Sequence, residues 1–361
     1  MSSKIKIFFY LIFICICTSC INSPKSKIDQ IKNQILPMRE RAELRNQILK
    51  DRFKTVLPDI MRRNNIDMWI IIAREYNEDP VIRTMLPATW LNARRRTILV
   101  VHDPGNNKSL EGYAIARYDV GDMFLKSWDP EKQPNQYQAL SDFISQKNPK
   151  KIGINKSQYF AQADGLTSIE HDLFMKSLPN RYKDKIVSAE NVAIGWLETR
   201  SELEMNIYPT ICKIAHDIIK EGFSAENIKP GITTTDDIVW WYRERIRELK
   251  LVTWFHPTVD IQRNDNQKFD FLSSFSKAKP DNVILPGDLL HVDFGITYLG
   301  LNTDTQQHAY VLLPTEKKTP VYLQNALKTG NQLQDILTEQ FETGKTGNEM
   351  LKAALDKAKN N

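Results

Sequence analysis

The chain has 361 residues, 41% of them apolar and 26% charged, with 49 Lys plus Arg against 44 Asp plus Glu and a formal net charge of +5. This is the composition of a folded chain with room for two cores, and it excludes a disordered polymer or a protein built mainly of membrane spans. The basic excess is too small and too scattered to argue for nucleic acid as a partner.

At the start of the chain, Lys4 and Lys6 precede an apolar run, Ile7 to Cys17, that is too short to span a bilayer, and small residues follow. The pattern is that of an export signal. Its end, Cys17-Thr18-Ser19-Cys20, resembles the lipobox of bacterial lipoproteins. That resemblance implies a signal peptide over residues 1–20, lipidation of Cys20, a tether over 21–38 and a location in the cell envelope, held to a membrane by the lipid. Ordinary signal cleavage is the other reading. Beyond this segment only Cys212 remains, so no intrachain disulfide framework is expected. Its apolar neighbours mark it as a small core residue.

From Arg39 to about Asn64, Leu44, Ile48, Phe53, Val56, Leu57 and Ile60 recur at helical spacings. Short apolar runs then read as buried strands at 68–73, 97–102, 112–116 and 152–154, with a helical pattern over Gln138 to Ser145. Such alternation predicts an α/β domain over 39–195. No Gly-rich phosphate loop, serine elbow or CxxC motif lies at its strand ends. The run Arg94-Arg95-Arg96 abuts Ile98 to Val101 and reads as a solvated strand entry rather than a binding patch.

The second part, 196–361, opens with a long helical pattern over Thr199 to Phe223. Pro230-Gly231 then breaks the chain, and Thr233 with Asp236 resembles a helix-start capping box. The helix after it, to about Leu249, should bury Ile238, Trp241, Ile246 and Leu249, with its tryptophans in the core. After the turn Pro286-Gly287-Asp288, Leu290, Val292, Phe294 and Ile296 alternate onto one strand face. His291, Asp293 and Gly295 share the other. A reversal at Tyr298-Leu299 would set Asp293 opposite Asp304. Two carboxylates about 5 Å apart at an effective dielectric near 20 repel by roughly 3 kcal/mol, which a cation between them would relieve. The apolar face belongs in a core, so the polar face is expected to line a pocket that holds metal.

These residues resemble the pita-bread metallopeptidase superfamily of methionine aminopeptidases, Xaa-Pro aminopeptidases and creatinases. Val292-Asp293-Phe294-Gly295 followed by Asp304 resembles its metal hairpin, and Leu285 to Asp288 and Gly231-Ile232-Thr233 fit the Xaa-Pro aminopeptidase branch best. The resemblance implies a creatinase-like N-terminal α/β domain followed by an α+β pita-bread domain, incomplete in this sequence. It also implies two divalent metal ions (manganese, cobalt or zinc) that activate water, and short peptides with proline at the second position as substrates. Asp293 and Asp304 match family metal ligands, and His256 stands near a family histidine that aids catalysis. His291, Asn302, Gln306 and His308 are expected to surround the metal or line the pocket. Gln306 and Gln307 occupy positions where the family usually has Thr and Arg.

In the family a His and two Glu complete the site on later strands. Here His308 is the last histidine, and Glu316, Glu339, Glu342 and Glu349 lie outside strand patterns. The chain therefore reads as an exported Xaa-Pro aminopeptidase relative that is feeble or inactive alone. The alternatives are a non-catalytic peptide-binding module, or a site completed by another chain, as in a dimer.

Overall fold

A computed structural model describes residues 29–106, 108–263 and 282–360. The signal stretch with Cys20, and residues 21–28 of the tether, lie outside the described residues. The chain divides into two compact units, Met1–Ile214 with Leu299–Leu301, and Ala215–Tyr298 with Asn302–Asn361.

The first unit begins with α1 (Met38–Thr55) and α2 (Leu57–Arg63), one helical pattern interrupted at Val56 ahead of Pro58. Then follow β1 (Met68–Arg74), α3 (Pro80–Met85), β2 (Arg96–His102), β3 (Glu111–Ile115) and β4 (Leu125–Lys126). The rest is α4 (Gln136–Lys147), β5 (Ile152–Ile154), α5 (Ser168–Ser177), α6 (Asn180–Lys183), β6 (Ile186–Ser188) and α7 (Glu190–Glu198), with α8 (Glu202–Gly222) leading onward. Six strands form one mixed sheet in the order β4-β3-β2-β1-β5-β6. β1 runs antiparallel to β2 and parallel to β5, from Met68↔His102 and Met68↔Ile152.

Its central strands are apolar in unbroken runs because both faces are covered. Trp69, Ile71, Leu99 and Val101 pack with Leu57, Ile60 and Trp196 on one side. Ile70, Ile72, Ile98 and Val100 pack with Leu140, Ile144 and Phe174 on the other. The result is the helix-sheet-helix domain that the alternation predicts. Asp79 caps α3 from full burial, its Oδ1 accepting from the Val81 and Ile82 amides, and burial pushes its pKa up. Cys212 on α8 is half-buried, and burial raises its thiol pKa, as befits packing rather than nucleophilic chemistry.

The second unit holds α9 (Thr235–Glu248), β7 (Val252–Thr253), β8 (Thr258–Gln262), β9 (Leu289–Phe294), β10 (Ile296–Tyr298), β11 (Leu301–Asn302), β12 (Thr305–Tyr310), α10 (Val321–Thr338) and α11 (Gly347–Lys359). The capping box of α9 is Thr234 with Asp237, one residue beyond the predicted pair. Among the expected buried side chains of α9, Ile238, Ile246 and Leu249 are buried, but Tyr242 takes the central place. Trp240 is half exposed and Trp241 only partly buried. The Tyr242 hydroxyl donates to the Ile219 carbonyl at 3.0 Å, and its ring lies 5.1 Å from that of Phe294. Gly222 leaves the room this requires, since a Cβ there would meet the Tyr242 ring at 2.3 Å. In this way α9 covers the apolar back of β9.

Candidate metal-binding sheet

The polar side chains of interest lie on a three-stranded antiparallel sheet in the order β12-β9-β8. β9 buries Leu290, Val292 and Phe294 and turns Leu289, His291 and Asp293 the other way. At the start of β9, Arg263 closes as a fork on fully buried Asp288, with Nε to Oδ1 and Nη2 to Oδ2 both at 2.7 Å. Asp288 also accepts from the Leu285 amide, which fixes the turn that aims the strand.

The hairpin differs from its predicted register. Its tight turn is Leu299-Gly300, both with positive φ (57° and 84°), closed by Tyr298 and Leu301. Asp293 therefore pairs with Gln306, and His291 with His308. Asp304 lies just ahead of β12, outside the paired residues and two positions before Gln306. On the other side, β8 sets Thr258 beside Asp293 and Asp260 beside His291. Nor is the polar face walled in as expected, because Asp304, Gln306 and His308 are exposed. With Asp304 in solvent and no longer the cross-strand partner of Asp293, the repulsion of a directly opposed pair does not arise.

His291 Nε2 donates to the Gln306 amide oxygen at 3.0 Å, its Nδ1 lies 3.9 Å from Asp260, and its ring sits 5.0 Å from that of His308. Burial first, then the neighbouring His291, lowers the pKa of His308. Asn302 accepts from the Thr297 hydroxyl at 2.7 Å, next to the turn. His256 is exposed, and the Arg243 guanidinium donates to its Nδ1 at 3.0 Å while the Trp240 ring lies 5.6 Å away. Thus His291 and Asp293 on β9 face His308 and Gln306 on β12, Asp304 lies just ahead of β12, and His256 is held by α9. Sequence reasoning missed β8, although Thr258, Asp260 and Gln262 alternating with Val259 and Ile261 is a strand signal.

One atom on this face is out of balance. Asp293 Oδ1 is buried without a hydrogen-bond partner, a costly state for a carboxylate oxygen and one that a bound cation relieves. Oxygen donors of this kind fit a hard divalent ion. In number they are few: no group of three or more His, Cys, Asp or Glu suited to a metal occurs among the described residues.

Sheet, hairpin and covering helix make this second unit a pita-bread type of domain, which follows the α/β domain in the sequence. The family model of metallopeptidase family M24 matches residues 209–361. A search of curated proteins gives no match. Among solved structures, the X-Pro aminopeptidase of Thermotoga maritima MSB8 is similar over 82% of this chain and 76% of its own, at 16% identity and a TM-score of 0.56. A histidine-to-alanine variant of Escherichia coli aminopeptidase P is similar over 89% of this chain and 73% of its own, at 12% identity and a TM-score of 0.51. These likenesses establish the fold and bear out the expected fold class.

Proposed function

We propose that the chain is an Xaa-Pro aminopeptidase relative in which Asp293 and Asp304 hold a divalent cation, and that it hydrolyses the bond before proline feebly when acting alone. The observation that carries this is the buried, unpartnered Asp293 Oδ1, with Asp304 just ahead of the strand that pairs with β9. A divalent ion, when bound, polarises water for attack on a peptide carbonyl. The protein's own groups orient that face: His291 is steered by Gln306 and Asp260, and the Arg263–Asp288 fork sets the strand. Two carboxylates give only loose retention of an ion, which is the reason for the feeble activity. The Cys17-to-Cys20 stretch supports an exported chain anchored by lipid at Cys20.

The test titrates the full chain with Mn2+, Co2+ and Zn2+ by calorimetry and follows cleavage of a Xaa-Pro peptide with and without chelator. Asp293→Asn should weaken ion binding by about tenfold or more, the usual scale for losing a charged ligand. Equal binding by wild type, Asp293→Asn and Asp304→Asn would remove the proposal. Chelator-insensitive peptide binding without cleavage would favour the binding-module reading.

A further inference from the structure

The arginine run that charge patterning reads as a solvated strand entry borders a cleft of about 700 Å3 within the first unit. Arg94, Arg95 and Arg96 line one part of it and Arg117 another, with Trp90, Tyr118 and Trp128 between them. The volume lies in the range of roughly 300–1,000 Å3 that small-molecule sites occupy.

These four cations are not equivalent. Arg96 is neutralised by buried Glu170, with Nε to Oε2 at 2.6 Å and Nη2 to Oε1 at 3.2 Å, and its guanidinium stacks on Tyr137. No ion pair engages Arg94, Arg95 or Arg117 among the described residues. Two of them are nevertheless positioned. The Arg94 guanidinium lies 4.3 Å from the centre of the Trp90 ring and 5.8 Å from that of Tyr118, and Arg117 lies 5.8 Å from that of Trp128. Stacking occupies the face of a guanidinium and leaves the N–H groups on its edge free to fork onto an anion.

The backbone beneath is equally fixed. Arg95 sits in the left-handed region at φ 58°, its amide donating to Glu75 Oε2 at 3.0 Å and its carbonyl accepting from the Glu75 amide at 2.6 Å. The Thr97 hydroxyl donates to the Arg94 carbonyl at 3.1 Å and lies 3.2 Å from the Arg94 amide. A non-glycine residue in this conformation costs on the order of 1 kcal/mol, which the surrounding hydrogen bonds sustain, and the outcome is three consecutive arginines at one rim. Like charges gathered around one cleft repel unless a multiply charged anion joins them.

We propose that this cleft binds a compact ligand with two or more anionic groups, phosphate or carboxylate, gripped by the free guanidinium edges of Arg94, Arg95 and Arg117. Calorimetry on the full chain with inorganic pyrophosphate and, separately, with citrate tests it, at low and at physiological ionic strength. Saturable binding of at least one probe is expected, and which of the two binds tells phosphate from carboxylate. Arg94→Gln and Arg117→Gln should each weaken it by about tenfold, as loss of a charge-assisted fork does, and added salt should weaken it further. Lys132→Gln, an exposed cation outside the cleft, should leave it unchanged. All these side chains are at the surface, so thermal melts of the variants should match wild type. Failure of both probes to saturate in the millimolar range would overturn the proposal, as would undiminished binding by the Arg94→Gln/Arg95→Gln/Arg117→Gln variant.

Discussion

A single carboxylate shows how far local partners set charge behaviour in this chain. Glu111 accepts from Lys147 Nζ at 2.8 Å, from the Tyr113 hydroxyl at 2.8 Å and contacts His102 Nδ1 at 2.9 Å. The Lys147 hydrogen bond above all holds its pKa down, from 4.5 to about 2. A carboxylate depressed in the folded state adds stability that is complete above its unfolded pKa and is lost as pH falls towards the folded one. The window here runs from about 4.5 down to about 2. Because the side chain is 39% exposed, water screens the gain to the order of 1 kcal/mol. Glu111→Gln should therefore unfold at lower urea than wild type near pH 7, with the gap closing as pH drops towards about 3. A gap that stays constant over that range would mean that Glu111 contributes through packing and not through its charge.

At the scale of an element, the hairpin explains both what the sequence discloses and what it hides. Gly295 is glycine because a Cβ there would lie 2.5 Å from Phe255 Cε1 and 2.6 Å from the Thr303 carbonyl oxygen. A ring can rotate, whereas the paired backbone cannot yield without loss of register. Gly295→Ala should destabilise the chain by about 1–3 kcal/mol, the usual cost of overpacking, with a lower urea midpoint and an unchanged slope. A midpoint within error of wild type would show that the strands part easily and that the register is weakly held. The same hairpin misleads a reader of the sequence by one turn position, since Leu299 adopts a positive φ that leucine rarely takes and Gly300 is the inner residue rather than the closing one. Pairing consequently moves by two residues. An even shift changes partners and preserves faces, so the polar face of β9 was legible although its cross-strand partners were not. The cap of α9 slips by one for a related reason: Thr233, Thr234 and Thr235 precede Asp236 and Asp237, so two pairs share the same spacing. Only the backbone chooses Thr234 with Asp237.

Across the whole molecule, legibility follows burial. The first unit reads cleanly because its central strands are apolar on both faces and cannot be mistaken for solvent-facing helices. In the second, β8 escaped notice because half of its residues face solvent, and the arginine cleft escaped because residues from Trp90 to Gln136 meet there only after folding. The last two helices show the opposite imbalance, apolar side chains without burial. α10 buries none of its residues, and Tyr322, Leu333 and Leu337, spaced by eleven and four, share one side of it while exposed. On α11, Leu351 and Leu355 are exposed in the same way. A side chain open to water in the monomer gives up little when made polar, so Leu333→Glu should change unfolding stability by no more than about 0.5 kcal/mol. It should, however, reduce self-association in sedimentation experiments and dim the fluorescence of a dye that binds apolar surface, because such patches drive association. Were Leu333→Glu instead to lower stability by several kcal/mol, this side of α10 would have to be covered in solution, since only a buried leucine makes a charge that costly.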